Sequence, residues 1–260
     1  MITIKTEEEI AVMREGGNIL ASILAKLGEI VKPGVTTEDL EKEANRLILA
    51  AGGRPAFKGY KVGSAKPFPT ALCTSINNAV VHGPAVPAKV LKDGDIIGID
   101  IGMQYPAKGG KYTDMAITVP VGVVDKKIMN LLEATKKSLD MAISKVKAGA
   151  EIREIGIAVQ RYVEARGYSV VRDLVGHGVG NEVHEAPQVP NFEIPKKSMD
   201  NIILKTGMTI AIEPMVNMGK YQVKNANDGF TIITSDGSLS AHFEHTVAVT
   251  DDGCEVLTAF

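Results

Sequence analysis

The stretch 174–189, LVGHGVGNEVHEAPQV, carries two imidazoles seven residues apart, His177 and His184, amid Gly176, Gly178 and Gly180. A helical metal motif sets its histidines four residues apart on one face, and the glycines together with Pro187 argue against a helix here. Glycine lets the backbone turn sharply or approach a ligand closely, so the spacing predicts extended chain and a tight loop that bring both rings to one place. On this stretch alone, a glycine-rich connection with two incidental histidines explains the pattern equally well. Elsewhere, four carboxylates stand in apolar or constrained surroundings: Asp100 in IIGID, Asp114 in YTDMAIT, Glu213 in TIAIE and Glu244 in FEHTVAVT. Gathered around His177 they could not all stay ionised and unpaired, because burying such a charge carries a heavy desolvation penalty. No Lys or Arg recurs beside them, and four negative charges balance two divalent ions. A binuclear centre with bridging carboxylates is the economical solution. Oxygen-rich ligation with one imidazole suits Mn(II), Fe(II), Co(II) or catalytic Zn(II) better than copper or a closed structural zinc site.

Positioning such a centre requires strands that present the acids on one face. Strand side chains alternate, so Ile97, Ile99 and Ile101, like Ile210 and Ile212, turn one way while Gly98, Asp100, Ala211 and Glu213 turn the other. Either acid alone reads as an exposed group on a strand edge. A repeat changes that: VKPG at 31 and VKAG at 146 lie 115 positions apart, while LKDGDIIGID at 91 and LKTGMTIAIE at 204 lie 113 apart. Five of those last ten positions are identical, and Asp100 aligns with Glu213. Thr6 with Glu9 forms a capping box ahead of Ile10, Met13, Leu20, Leu24 and Leu27, and Thr36 or Thr37 caps a second helix that Gly52 and Gly53 stop. Helical spacing restarts after Asp125 with Ile128, Leu131, Leu132, Leu139 and Ala142, and a fourth helix is expected to end near Gly167. The fold expected is α+β, with duplicated αα-plus-antiparallel-sheet halves related by a pseudo-twofold axis. The halves, approximately 6–121 and 122–250, belong to a single catalytic domain over 1–260 with its site between them.

The 260 residues are 45% hydrophobic with a formal net charge of −2, enough for a large core and without a basic face for nucleic acid or anionic lipid. The N-terminus is charged by residue 5, no run approaches a membrane span, and only Cys73 and Cys254 are present. A cytoplasmic protein with reduced thiols is expected.

The ordered motifs SINNAVVHG (75–83), DGDIIGIDIG (93–102), GHGVGNEVHEAPQV (176–189), LKTGMTIAIEPMV (204–216), DGFTI (228–232) and SLSAHFEHTVAVT (238–250) are specific as a set. On them the chain resembles, over nearly its whole length, the type I methionine aminopeptidases of the short bacterial kind, within the pita-bread metallopeptidases. That resemblance implies two divalent ions: Asp100 on one, His177 and Glu213 on the other, and Asp114 and Glu244 bridging. It implies that His184 stabilises the tetrahedral intermediate, that His82 contacts the scissile peptide unit from the opposite wall, and that Glu213 shuttles a proton. It places Phe68, Cys73, Val183 and Phe230 around the first side chain, an apolar slot with a soft thiol that suits methionine. Hydroxide made by the metal pair would attack the first peptide bond, and a free α-amine would fix the cut after residue one. The implied substrates are peptides and nascent polypeptides, met in the cytoplasm, including at the ribosome, by a monomer that binds neither nucleic acid nor membrane.

His242 and His245 read as structural or supporting groups, His242 standing where that family often has glutamine. The chain departs from the family in three places. MQYPAKGGKYT (103–113) and YKVGSAKPF (60–68) are longer, and Val183 and Phe230 stand where Phe and Trp are usual in a chain with no Trp, which predicts a wider pocket. A proline-directed aminopeptidase of the same fold is the nearest alternative, but such enzymes usually carry a further N-terminal domain and here the first repeat begins near residue 6. A non-catalytic pita-bread binding protein would be expected to have lost ligands, and all five are present.

Overall fold

Thr6 opens the first helix as its sequence predicts. Its hydroxyl accepts the Glu9 N–H at 3.3 Å while the Glu9 carboxylate accepts the Thr6 N–H at 3.0 Å, closing a capping box. The computed structural model describes residues 2–61 and 66–259. Helix α1 (Glu7–Ile30) is followed by α2 (Thr37–Ala50), where Thr36 and Asp39 repeat the same box and Gly52, at a φ of +80°, ends the element. After five strands the helical pair recurs as α3 (Lys126–Ile143), capped by Asp125, and α4 (Arg153–Glu164). The fourth helix stops three residues short of Gly167, whose φ of +81° allows the closing turn.

The strands of the first half are β1 (Arg54–Pro55), β2 (Leu72–Ile76), β3 (Ala79–Val81), β4 (Ile96–Tyr105) and β5 (Lys111–Pro120). Those of the second are β6 (Ser169–Val170), β7 (Gly176–Gly178), β8 (Glu185–Val189), β9 (Thr209–Ile212), β10 (Met215–Asn217), β11 (Val223–Asn225), β12 (Ile232–Thr234), β13 (Ser240–His242), β14 (Glu244–Val249) and β15 (Cys254–Val256). Nine join one sheet in the order β1, β4, β5, β14, β9, β7, β8, with β2 also on β4 and β15 also on β14. All its pairings are antiparallel. The path β2–β4–β5 is mirrored by β7–β9–β14, and the two halves meet where β5 pairs with β14. Short three-stranded sheets, β13–β10–β6 and β11–β12–β3, flank it.

Alternation decides which face of the sheet is core. Ile97, Ile99 and Ile101 pack with Leu20, Leu24 and Leu27 of α1 and Leu40, Ala44 and Ile48 of α2. Ile210 and Ile212 pack with Leu131, Leu132 and Leu139 of α3 and Ile155 and Val159 of α4. Both helical pairs thus cover one face and leave the carboxylates on the other. The stretch 103–113, expected as a longer loop, is mostly strand. Met103 to Tyr105 and Lys111 to Thr113 continue the β4–β5 ladder, leaving only 106–110 as the turn. The extra residues lengthen a hairpin and do not displace Asp114, which stays opposite Gly102. Residues 62–65 of the second lengthened stretch lie outside the described residues. No helix among the described residues is long and apolar enough to cross a membrane.

Candidate metal centre

Register alone gathers the acids. Asp100 on β4 stands opposite Ala116 on β5, and Ala116 stands opposite Glu244 on β14. Directly opposed residues point to the same side of a sheet, as do residues two apart on a strand. Asp114, two from Ala116, therefore joins Asp100 and Glu244. Across the seam, His177 and Thr246 both stand opposite Ala211, so His177 and Glu213, two beyond Ala211, share that side as well. Ala116 and Ala211, 1% and 0% exposed, give the acids a floor without bulk. Cys73 lies on the same face, opposite Asp100.

These side chains converge. Ligand atoms of Asp114, His177 and Glu244 lie within 4.8 Å of one another. His177 Nε2 is 3.5 Å from Glu213 Oε1 and 3.9 Å from Asp114 Oδ2. Asp100 Oδ1 and Glu244 Oε1 are buried without a hydrogen-bond partner. His177 Nδ1 lies 2.9 Å from the Gly178 carbonyl, which can only accept, so Nδ1 donates there and Nε2 is left facing two carboxylates. A lone pair facing acceptor oxygens is tolerable only with a cation or a proton between them. Divalent-ion ligation fits this donor set, and backbone fixation of the other ring nitrogen is the usual support for a histidine ligand.

Without metal, electrostatics push these groups towards neutrality. Burial, with Glu213 nearby, raises Asp100 to about 7, and burial raises Glu213 to about 7. Asp114 and Glu244 are raised well above the ordinary carboxylate range by burial and by neighbouring acids. Cys73 is driven up by burial and by Asp100, so it is a neutral thiol. Burial holds His242 below its ordinary value against the pull of Asp100.

His177 and His184 meet, their ring centroids 4.3 Å apart. The sequence reads GHG as extended, and β7 confirms it: a Cβ on Gly176 or Gly178 would strike the carbonyl of Ala211 or Ala186. Hairpin β7–β8 then returns His184 over His177. His82, at a φ of 60°, faces the same cleft of about 770 Å³, as do Phe68, Cys73 and Phe230. Surrounding protein lowers His82 to about 4 although the ring opens into the cleft, and lowers His184 to about 3 with help from His177 and His82. Phe68 and Phe230 stand edge to face at 5.6 Å. Val183 is buried and packs with Ala56, Phe57 and Cys73, with Phe68 against the same cluster.

Sequence reasoning missed several neighbours. Tyr60, 4.9 Å from His184 and tilted against it, comes from a loop with no periodic signal. Gln188 also lines the cleft, and pairing of the two arms of the GHG…EAPQV hairpin would have placed it opposite His177. His242 is 97% buried behind the acids, its Nε2 3.5 Å from Glu213 Oε2 and 4.0 Å from Glu244 Oε2. His245 points through the sheet to the other side and meets the Thr258 hydroxyl at 3.0 Å.

Residues 11–251 match the Metallopeptidase family M24. The chain belongs to that family. Among M24 proteins it is similar to the methionine aminopeptidase of Clostridium perfringens, with 45% identity over 259 residues covering 99% of each chain. The crystal structure of methionine aminopeptidase from Thermotoga maritima superposes at a TM-score of 0.93 with 40% identity over all of both chains. The prolidase from Pyrococcus furiosus, 23% identical, shares the fold at a TM-score of 0.76, and this chain covers 65% of it. The duplicated α+β fold expected from the repeat, which the resemblance identified as the pita-bread fold, is the fold observed.

Proposed function

We propose that this M24 chain is a metal-dependent aminopeptidase that removes the N-terminal methionine from peptides and newly made proteins. The observation that carries the reading is the sheet register that turns Asp100, Asp114, His177, Glu213 and Glu244 to one side, beneath a cleft walled by His82 and His184. The 45% identity to a methionine aminopeptidase, spread over the whole chain, supports the choice of substrate.

We assign Asp100 to one divalent ion, His177 and Glu213 to a second, and Asp114 and Glu244 to both. Bound there, such ions supply a Lewis acid for the scissile carbonyl and lower the pKa of a water into the neutral range. His184, neutral at working pH, donates an N–H to the carbonyl oxygen as negative charge develops on it. His82 holds the peptide unit from the opposite wall. Glu213, with Oε1 turned to His177, carries a proton from the attacking water towards the leaving amine. Phe68, Phe230 and Cys73 enclose the first side chain, with Val183 backing them, and exclude water from it. A free, neutral α-amine would be drawn to the residues that hold the ions, which would fix the cut after residue one. The substrates are N-termini of nascent polypeptides met in the cytoplasm near the ribosome, and the enzyme acts as a monomer, which a sedimentation mass of 27.7 kDa would bear out.

The deciding experiment follows residue release from Met-Ala-Ser, acetyl-Met-Ala-Ser and Ala-Pro-Ser by chelated enzyme titrated with Co(II), Mn(II), Fe(II) or Zn(II). Metal-dependent release from free Met-Ala-Ser alone is expected. Preference for Ala-Pro-Ser would move the chain to the proline-directed branch, and no turnover with any metal would leave a binding protein.

A further inference from the structure

Lys5 is a buried cation with no part in the site described so far. Its side chain is 1% exposed, and its Nζ lies 2.6 Å from Glu185 Oε2, whose own side chain is 6% exposed. Thr3 completes the cluster, donating its hydroxyl to Glu185 Oε2 at 2.5 Å and accepting a bond from Lys5 Nζ. The other oxygen of Glu185, Oε1, accepts the backbone N–H of Asn181 and, at 2.9 Å, that of Glu182. Glu185 therefore closes the turn 181–185 on itself, and that turn carries His184. Ile2 pairs with Ala186 on the far side of the turn, and the Lys5 N–H is bonded to the Gly207 carbonyl at 2.8 Å.

The slot for Lys5 is built by glycines. A Cβ on Gly180, at a φ of +139°, would come within 2.5 Å of Lys5 Cε, and one on Gly207, at +83°, within 2.8 Å of the Lys5 carbonyl oxygen. Burial raises the Glu185 carboxyl, but the bonds from Lys5 and Thr3 outweigh it and hold the group below its ordinary value. A buried ion pair contributes little net stability compared with apolar residues of the same shape, so its value here lies in geometry. The pair fixes which way the turn folds, and with it the 4.3 Å approach of His184 to His177.

We propose that Lys5 and Glu185 form a latch, through which the N-terminal segment 2–5 holds the His184 turn in its productive position. Lys5 and Glu185 are positioning residues that act through His184, so the proposal rests on the catalytic role given to His184 above.

Three readings on metal-loaded full-length enzyme test it. In Lys5→Met, kcat for methionine release from Met-Ala-Ser falls about 10- to 100-fold with KM changed less than about 3-fold and metal content unchanged, the pattern of a misplaced transition-state contact. In a His184→Ala background the same change costs less than about 2-fold, because residues acting as a unit are not additive. Amide exchange at 181–186 accelerates in Lys5→Met. The paired variant Lys5→Met/Glu185→Gln removes both charges with little change of shape and guards against a single variant that fails to fold. Equal losses in both backgrounds, or a folded Lys5→Met with unchanged exchange at 181–186, would overturn the latch. If wild-type enzyme releases no methionine, the substrate reading fails, and the exchange measurement still decides whether the latch exists.

Discussion

His177 and His184, seven positions apart in sequence, face each other across the β7–β8 hairpin with ring centroids 4.3 Å apart. One is tied by its Nδ1 to the Gly178 carbonyl, and the other projects into the cleft. A loop with two histidines is thereby divided into a group aimed at the carboxylates and a group open to the cleft, where the proposed function puts the substrate. Any change that separates the rings should separate these two functions.

Metal loading should be measurable without turnover. Asp114→Asn and Glu244→Gln each remove charge from the cluster of Asp114, His177 and Glu244, and are expected to lower the metal retained after desalting. Saturating metal should raise wild-type stability by about 2.7 kcal/mol at one hundred times its Kd, a gain that chelation removes. Equal metal retention in wild type and both variants, by elemental analysis, would remove these residues from the ligand set.

Stability of the chelated protein should fall as pH rises. Asp100 and Glu213 are raised to about 7, with Asp114 and Glu244 raised well above the ordinary range, so at these four groups the folded chain holds more protons than the unfolded one from about pH 4 upward. Stabilisation from the neutral acids is present below their unfolded values and is lost as pH climbs through the folded ones. His82 and His184, lowered to about 4 and 3 from 6.5, act with the opposite sign, but their contribution is complete above pH 6.5. Between pH 6.5 and 8 the acids set the trend: the chelated protein should melt at a lower temperature at pH 8, and excess Mn(II) should cancel the difference. A chelated melting point that rises over that interval would contradict the burial of these acids.

Ala116 tests the floor of the site. It lies opposite both Asp100 and Glu244 and is 1% exposed, so Ala116→Val should cost about 1–3 kcal/mol by overpacking and also reduce metal content. Ile99→Val, on the helix-covered face of the same sheet, should cost about 0.5–1.5 kcal/mol and leave metal content unchanged. Thermal melts paired with elemental analysis would separate the two faces, and an identical metal loss in both variants would refute the assignment of faces.

Selectivity at the first residue should depend on the aromatic pair. Phe68 and Phe230 meet edge to face at 5.6 Å, and Phe230→Ala is expected to raise KM for Met-Ala-Ser roughly tenfold by removing about 1–2 kcal/mol of contact with the side chain. In a chain without Trp, wild-type enzyme should also accept leucine peptides at a measurable rate. An unchanged KM in Phe230→Ala would place the first side chain elsewhere in the cleft.

Much of this molecule is readable from local rules. The capping boxes at Thr6 and Thr36, the punctuation at Gly52 and Asp125, and the alternation of Ile97, Ile99 and Ile101 against Gly98 and Asp100 follow from hydrogen-bond demand and strand geometry, so helices, strand faces and the repeat appear in the sequence. The five candidate ligands stood out because charge in apolar strands needs compensation. Two things were decided only by long-range pairing: that Asp114 keeps its place because the extra residues of 103–113 become strand, and that Tyr60 and His242 close around the site. The latch belongs with them, since a lysine at position 5 looks like any solvated terminal charge until the fold brings it against Glu185, 180 residues away. Local propensity and alternation act over a few residues and leave their mark in sequence, whereas register between distant strands and the burial of a single side chain are properties of the assembled chain.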